Sequence, residues 1–184
     1  MMNDILMREL VEDARRGDGE AFGRIYAEYA AELYRFALWY LKNPEDAEDA
    51  VQEACIRAFE NIAALRRPEA FKSWFFKILA NEAKRLSERK TALLRVCVSD
   101  EPEGVYHSDF DADITANELL GELSDGDRLL VLLSVLQGFS SKEISEITGI
   151  KPSTVRSRLS RSLGLLRRKI ENRSDLHEKK QQHK

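Results

Sequence analysis

Cysteine and histidine are scarce in this 184-residue chain, and their placement excludes more than their number. Cys55 and Cys97 form no CxxC pair, and His107, His177 and His183 fall in no ligand spacing with them. A structural zinc site or a disulfide framework is therefore not expected, and Cys55, inside a helical stretch, reads as a small core residue. Gly-rich phosphate loops are missing, and no nucleophile pattern stands out, so a nucleic-acid enzyme has no support. No apolar run approaches the length of a membrane span, and MMNDILMREL lacks the apolar centre of a signal peptide. The expectation is a soluble protein of a reducing cytosol, inserted in no membrane, with no metal, no cofactor and no catalytic residue. Period-two alternation is rare too, which leaves helix as the main element.

Apolar residues make up 43% of the chain, enough for burial in one domain or two small ones. The net charge of −3 hides an uneven distribution. Ten acids and no Lys or Arg lie between Val96 and Asp127, so the remainder is net basic. Four N-terminal helices are expected: about Asp4–Arg16, Ala21–Leu41, Pro44–Asn61, and from Pro68 or Ala70 to Lys90. Phe22, Ile25, Tyr29, Leu33, Phe36 and Tyr40 recur at helical spacing in the second. Asn43-Pro44 reads as an N-cap with Pro at the first helical position of the third. The acidic segment, with Pro102 and Gly104, reads as a flexible linker. Helix starts at Thr115–Glu118 and Ser124–Asp127 open a smaller domain, its core expected from Leu129, Leu130, Leu133 and Leu136. The tail after Ile170 is charged and Gln-rich and reads as disordered.

The stretch GFSSKEISEITGIKPSTVRSRLSRSLGLLRR, Gly138–Arg168, has the grammar of a helix-turn-helix. Ser140 and Glu143 form a capping box, Gly149 suits the turn, and Pro152 suits the first position of the second helix. At about 100° per residue, Val155, Leu159, Leu166 and Ile170 fall on one face of that helix. Ser153, Arg156, Ser157, Ser160 and Arg161 fall opposite. Arg pairs with guanine in the major groove and Ser bonds base edges or phosphates. Seven Lys or Arg and no acid lie between Lys151 and Lys169, which suits a phosphate backbone.

Two further constellations lie upstream. Asp46, Asp49 and Glu53 share a helix face, which reads as a solvated surface, a carboxylate metal site or a docking surface for a basic partner. Bundle metal sites add a Glu-x-x-His pair, and no His precedes His107. Arg66–Arg95 holds nine Lys or Arg against three acids, interleaved with Phe71, Trp74, Phe75 and Phe76. Cations with aromatic rings suit single-stranded DNA, although some of these rings must belong to the core.

DAEDAVQE, then FKSWFFKILANEAKRL, then an acidic linker, then TVRSRLSR: this order resembles the extracytoplasmic-function (ECF, group IV) sigma factors of bacterial RNA polymerase. The resemblance covers roughly Glu9–Arg168. It implies an all-α fold of two small helical domains, a region 2-like bundle over residues 1–92 and a region 4-like helix-turn-helix over 117–170. A linker over 93–116 and a tail over 171–184 complete the division. It implies partnership with core RNA polymerase, with promoter DNA and with an anti-sigma factor, and a non-enzymatic role in the bacterial cytoplasm. By the same resemblance, Asp46, Asp49, Gln52 and Glu53 dock the polymerase. Asn61, Arg66, Arg67, Phe71, Trp74, Lys77, Asn81, Lys84 and Arg85 recognise and melt the −10 element, with Asn61–Ala70 holding a flipped base. Arg156, Ser157 and Arg161, with Ser153, read the −35 element, while Lys151, Thr154 and Arg158 grip phosphates. The chain departs from the family pattern at Arg85, where an acid is usual, at Leu123-Ser124, at Lys151 and at Ser162-Leu163. The reading that competes with a sigma factor is a dimeric helix-turn-helix repressor or activator on duplex DNA, which leaves DAEDAVQE and FKSWFF without roles.

Overall fold

A computed structural model describes residues 4–96 and 118–181, and every regular element among them is helical. The segment 97–117, with Cys97, most of the expected linker and the helix start expected at Thr115, lies outside the described residues. The chain divides into two units.

The N-terminal unit is built on four helices: α1 Asp4–Arg15, α2 Gly19–Leu41, α3 Pro44–Asn61 and α4 Phe71–Val96. Gly17, at φ 98°, makes the first break. Asp18 then caps α2 by accepting from the backbone N–H of Glu20 at 2.9 Å and of Ala21 at 3.1 Å. Lys42 ends α2 in the left-handed region, donating its N–H to the Leu38 carbonyl at 2.8 Å. Asn43 is extended, as a residue before proline must be, and its Oδ1 accepts from the Asp46 N–H at 2.9 Å. The expected cap is thus in place.

The buried face of α3 is almost all alanine: Ala47, Ala50, Ala54 and Ala58 join Val51 there. Such short side chains let α2 and α4 approach closely on either side, and α3 packs against both. Bulk comes from those neighbours. Phe22, Ile25, Leu33, Phe36 and Tyr40 of α2 are buried, and Tyr29 is half-buried. Phe36 meets Phe76 edge to face at 5.5 Å, and Phe71 meets Phe75 the same way at 5.5 Å. α4 outruns its expected end at Lys90, because Thr91–Val96 contains no Pro or Gly to stop it.

The C-terminal unit is built on α5 Asp125–Val131, α6 Ser141–Thr148 and α7 Pro152–Gln181, with residues 118–121 also helical. Ser124 caps α5 through the Asp127 N–H at 3.2 Å. The expected core register is corrected here. Leu130, Val131, Leu132 and Leu133 are all buried, while Leu129 and Leu136 are only half-buried. For Leu136 the cause is a π turn over Leu132–Leu136, closed by the Gln137 N–H on the Leu132 carbonyl at 3.2 Å. An i→i+5 turn rotates the residues that follow off the 3.6 period. Ser140 and Glu143 complete both halves of the capping box, and Gly149 stops α6 at φ 75°. Along α7, Val155, Leu159 and Ser162 are buried and Leu166 is half-buried. Ile170 is 52% exposed, so the apolar stripe outlasts the packing. The tail expected to be disordered continues α7 to Gln181. Lys, Glu, Arg and Gln are good helix formers, and nothing after Gly164 breaks the run.

Candidate nucleic-acid and polymerase interface

Each set of expected functional residues follows from which helix face the core leaves over. On α3 the alanine face turns inward, so Glu45, Glu48, Asp49 and Gln52 stand exposed. Asp46 and Glu53 are tied down. The Asp46 carboxylate pairs with Lys90 of α4 and its side chain is only 17% exposed. Glu53 accepts from Arg57 Nε at 2.8 Å. Sequence reasoning missed two apolar members of this face, Ile56 and Phe59, at 47% and 48% exposure. Phe59 leans edge-on against Phe22 at 5.2 Å. Their helical spacing from Gln52 was the available signal. Cys55 is half-buried rather than core, and burial pushes its thiol above the usual cysteine range.

On α4, Trp74, Lys77, Asn81, Lys84 and Arg85 fall within one arc of roughly 100° at 3.6 residues per turn. Lys77, Asn81, Lys84 and Arg85 are exposed, and Trp74 is half-buried with its ring 5.8 Å from Phe71. Phe71 is a correction. It is 1% exposed and ringed by Tyr29, Trp74 and Phe75, so it is a core residue and not a DNA contact. It sits at the first position of α4, where the adjoining α2 covers it. Arg66 and Arg67 are exposed in the connection leading to α4. Asn61, also exposed, donates its amide to the Arg57 carbonyl at 2.8 Å.

A charge network joins these two helices, and its link from Arg57 to Glu82 is one that no spacing foretold. The Glu82 carboxylate, 7% exposed, sits between two guanidinia. One oxygen is 3.0 Å from Arg57 Nε, and the other accepts from Arg85 Nη2 at 2.7 Å and Nε at 2.9 Å. Since Arg57 also holds Glu53, an expected polymerase contact and an expected DNA contact share one chain of ion pairs. The acid that holds Arg85 is one turn earlier on α4, at Glu82.

On α7, Ser153, Thr154, Arg156, Ser157, Ser160 and Arg161 are exposed, as is Lys151 just before it. The Ser157 hydroxyl donates to the Thr154 carbonyl at 3.0 Å. Arg158 differs: it is half-buried, and its Nε donates to Asp127 Oδ1 of α5 at 2.6 Å. Burial alone would raise the Asp127 pKa, but hydrogen bonds from Arg158 and Ser124 and the charges of Arg158 and Arg161 outweigh it, and the carboxyl is lowered.

The chain matches Sigma-70 region 2 over residues 25–92 and Sigma-70 region 4 over residues 116–166. It is 35% identical over 142 residues to the RNA polymerase sigma factor SigV of Bacillus subtilis (strain 168), an alignment spanning 76% of this chain and 85% of that one. The chain belongs to the ECF sigma factors of RNA polymerase. A second relative, the ECF sigma factor SigW of the same organism, is 26% identical over 91% of this chain and 98% of its own. Two solved structures share the fold at 23% identity. CnrH, in complex with the cytosolic domain of CnrY, superposes with a TM-score of 0.69 over 91% of this chain and 98% of its own. RpoE of Bartonella quintana, in complex with the anti-sigma factor NepR, gives 0.71 over 82% and 96%. As an ECF sigma factor the chain is a transcription initiation factor that directs core RNA polymerase to promoter DNA. A dimeric helix-turn-helix regulator would not account for the region 2 match. No described helix is long and apolar enough to cross a membrane.

Proposed function

We propose a division of labour within this sigma factor. The exposed acidic face of α3, centred on Asp49 and Gln52 with Glu53 and Asp46 beside it, docks the core polymerase. The α4 face of Trp74, Lys77, Asn81, Lys84 and Arg85, with Asn61, Arg66 and Arg67, takes the melted −10 strand. Arg156, Ser157 and Arg161, flanked by Ser153, read the −35 element in the major groove, while Lys151 and Thr154 hold phosphates. Residues 1–92 and 117–170 are then the two functional domains, and 93–116 tethers them. Such a factor works in the cytoplasm and catalyses no reaction of its own. The observation that carries this reading is the α7 face, where exposed hydroxyls and cations stand together with no acid from Lys151 to Lys169.

An anti-sigma factor is the expected regulator, covering both DNA-facing surfaces. The support is that a solved relative of the same fold is held by one.

Run-off transcription with bacterial core polymerase and genomic fragments tests the proposal. New start sites with a shared two-part motif are expected only when this chain is added. Their absence, together with tight duplex binding by the chain alone, would overturn it. Competition between a candidate anti-sigma partner and core polymerase checks the regulatory part, and simultaneous binding would remove it.

A further inference from the structure

Arg158 lies on the recognition helix among residues that point outward, yet its guanidinium turns back to α5. Three features of α5 receive it. Asp127 Oδ1 accepts from Arg158 Nε at 2.6 Å. Asp127 Oδ2 accepts from the Ser124 hydroxyl at 2.8 Å, which orients the carboxylate. Gly126 leaves its Cβ position open: a methyl there would sit 2.8 Å from Arg158 Nη2. Gly126 is not in the left-handed region, so its backbone conformation does not call for glycine. A glycine in the first turn of a helix is otherwise a local cost. The vacant space is therefore a slot that the guanidinium fills.

The clamp is a side-chain ion pair between α5 and α7 and joins residues 31 apart in sequence. At 25% and 30% side-chain exposure, both partners are largely withdrawn from solvent. Arg158 is one residue from Ser157 and one turn from Arg161, the side chains proposed to read bases. A fork-shaped cation held at a fixed point is suited to setting the rotation of a helix, because its planar group is pre-organised. Sub-ångström placement of the reading face decides how well bidentate base contacts form.

We propose that Arg158 is a positioning residue and not a phosphate contact: clamped by Asp127 in the slot over Gly126, it fixes the rotation at which α7 presents Arg156, Ser157 and Arg161 to the −35 element. This rests on the −35 reading given above.

The test uses the full chain with core polymerase on a promoter fragment recovered by run-off transcription, and on the same fragment with single −35 substitutions. Gly126→Ala is the decisive variant, because it keeps every charge, tolerates the backbone and displaces the guanidinium. Discrimination against the wrong −35 base should fall about tenfold in Gly126→Ala and in Arg158→Ala, within what one bidentate contact supplies. The slope of log affinity against log salt should stay at the wild-type value in both. If instead Arg158→Ala makes that slope shallower by about 0.9 and Gly126→Ala keeps wild-type discrimination, Arg158 grips a phosphate and the proposal is overturned. Thermal unfolding of the free chain tests the clamp without DNA. Asp127→Asn and Arg158→Ala should be strongly non-additive, and additive effects would overturn it. A wild-type chain that directs no promoter binding at all would instead defeat the −35 reading itself, whatever the unfolding cycle gives.

Discussion

The two units solve the same problem, presenting charge to a partner, in opposite ways. In the N-terminal unit several of the charges proposed to meet a partner are already paired: Asp46 with Lys90, Glu53 with Arg57, and Arg85 with the buried Glu82. In the C-terminal unit the side chains proposed to read bases stand exposed on α7, while Arg158 beside them is engaged with α5. Their cores differ in parallel. The first is a cluster of interlocking rings, from Phe22 to Phe76, around an alanine-faced helix. The second is aliphatic, with Leu130, Leu133, Ile144 and Val155 fully buried and Phe139 its buried ring. On the proposed reading, the α4 surface would exchange internal partners for DNA, whereas the α7 surface would need only to be held at the right angle.

The sharpest way to break the comparison is in the aromatic core. Phe36→Ala removes a fully buried ring stacked with Tyr40 and crossed by Phe76. It should destabilise the protein by about 3–5 kcal/mol, read by chemical denaturation with Trp fluorescence.

Next comes Glu82→Ala, which strips Arg57 and Arg85 of their shared carboxylate. Both guanidinia are nearly half-exposed and can turn to water, so the loss should be about 1–3 kcal/mol, less than for a fully buried pair. Arg85→Ala should cost less than Glu82→Ala in the same denaturation series. The reverse order would mean that the acid is not the organising member.

Arg156→Ala leaves the fold intact and acts on specificity. Discrimination at one −35 position should fall by about 1–3 kcal/mol, measured in a promoter reporter panel. An unchanged panel would remove Arg156 from the reading face.

The smallest effect is local. Ser140→Ala removes the oxygen that accepts from the Glu143 N–H at 3.3 Å and the hydroxyl that bonds the Glu143 carboxylate at 2.6 Å. Stability should drop by about 1 kcal/mol, seen as a lowered thermal midpoint, with Ser140→Asp retaining most of it.

Much of the fold was legible because its boundaries are set within a few residues. Asn43 before Pro44, Ser140 with Glu143, Gly149 and Pro152 each satisfy or remove a backbone group at a helix end, and each stands where expected. The faces of α3, α4 and α7 were legible from the 3.6-residue period. Phe71 was misplaced because a ring beside cations suits either a core or a DNA surface, and only the packing of Tyr29 and Phe75 around it decides. The π turn at Leu132–Leu136 was invisible because its components are ordinary helix formers, and its extra residue is accommodated only once four consecutive apolar side chains find a common core.

The sequence by itself therefore determined the helices, their caps, the two clusters of cations and the family order of the motifs, since all of these depend on neighbours within a turn or two. Tertiary structure alone decided which charges are already spent. Arg57 against Glu82, and Arg158 in the slot over Gly126 beside Asp127, bring together groups from helices far apart in the chain. Pairing between helices is set by distance in space, and no local period encodes that distance.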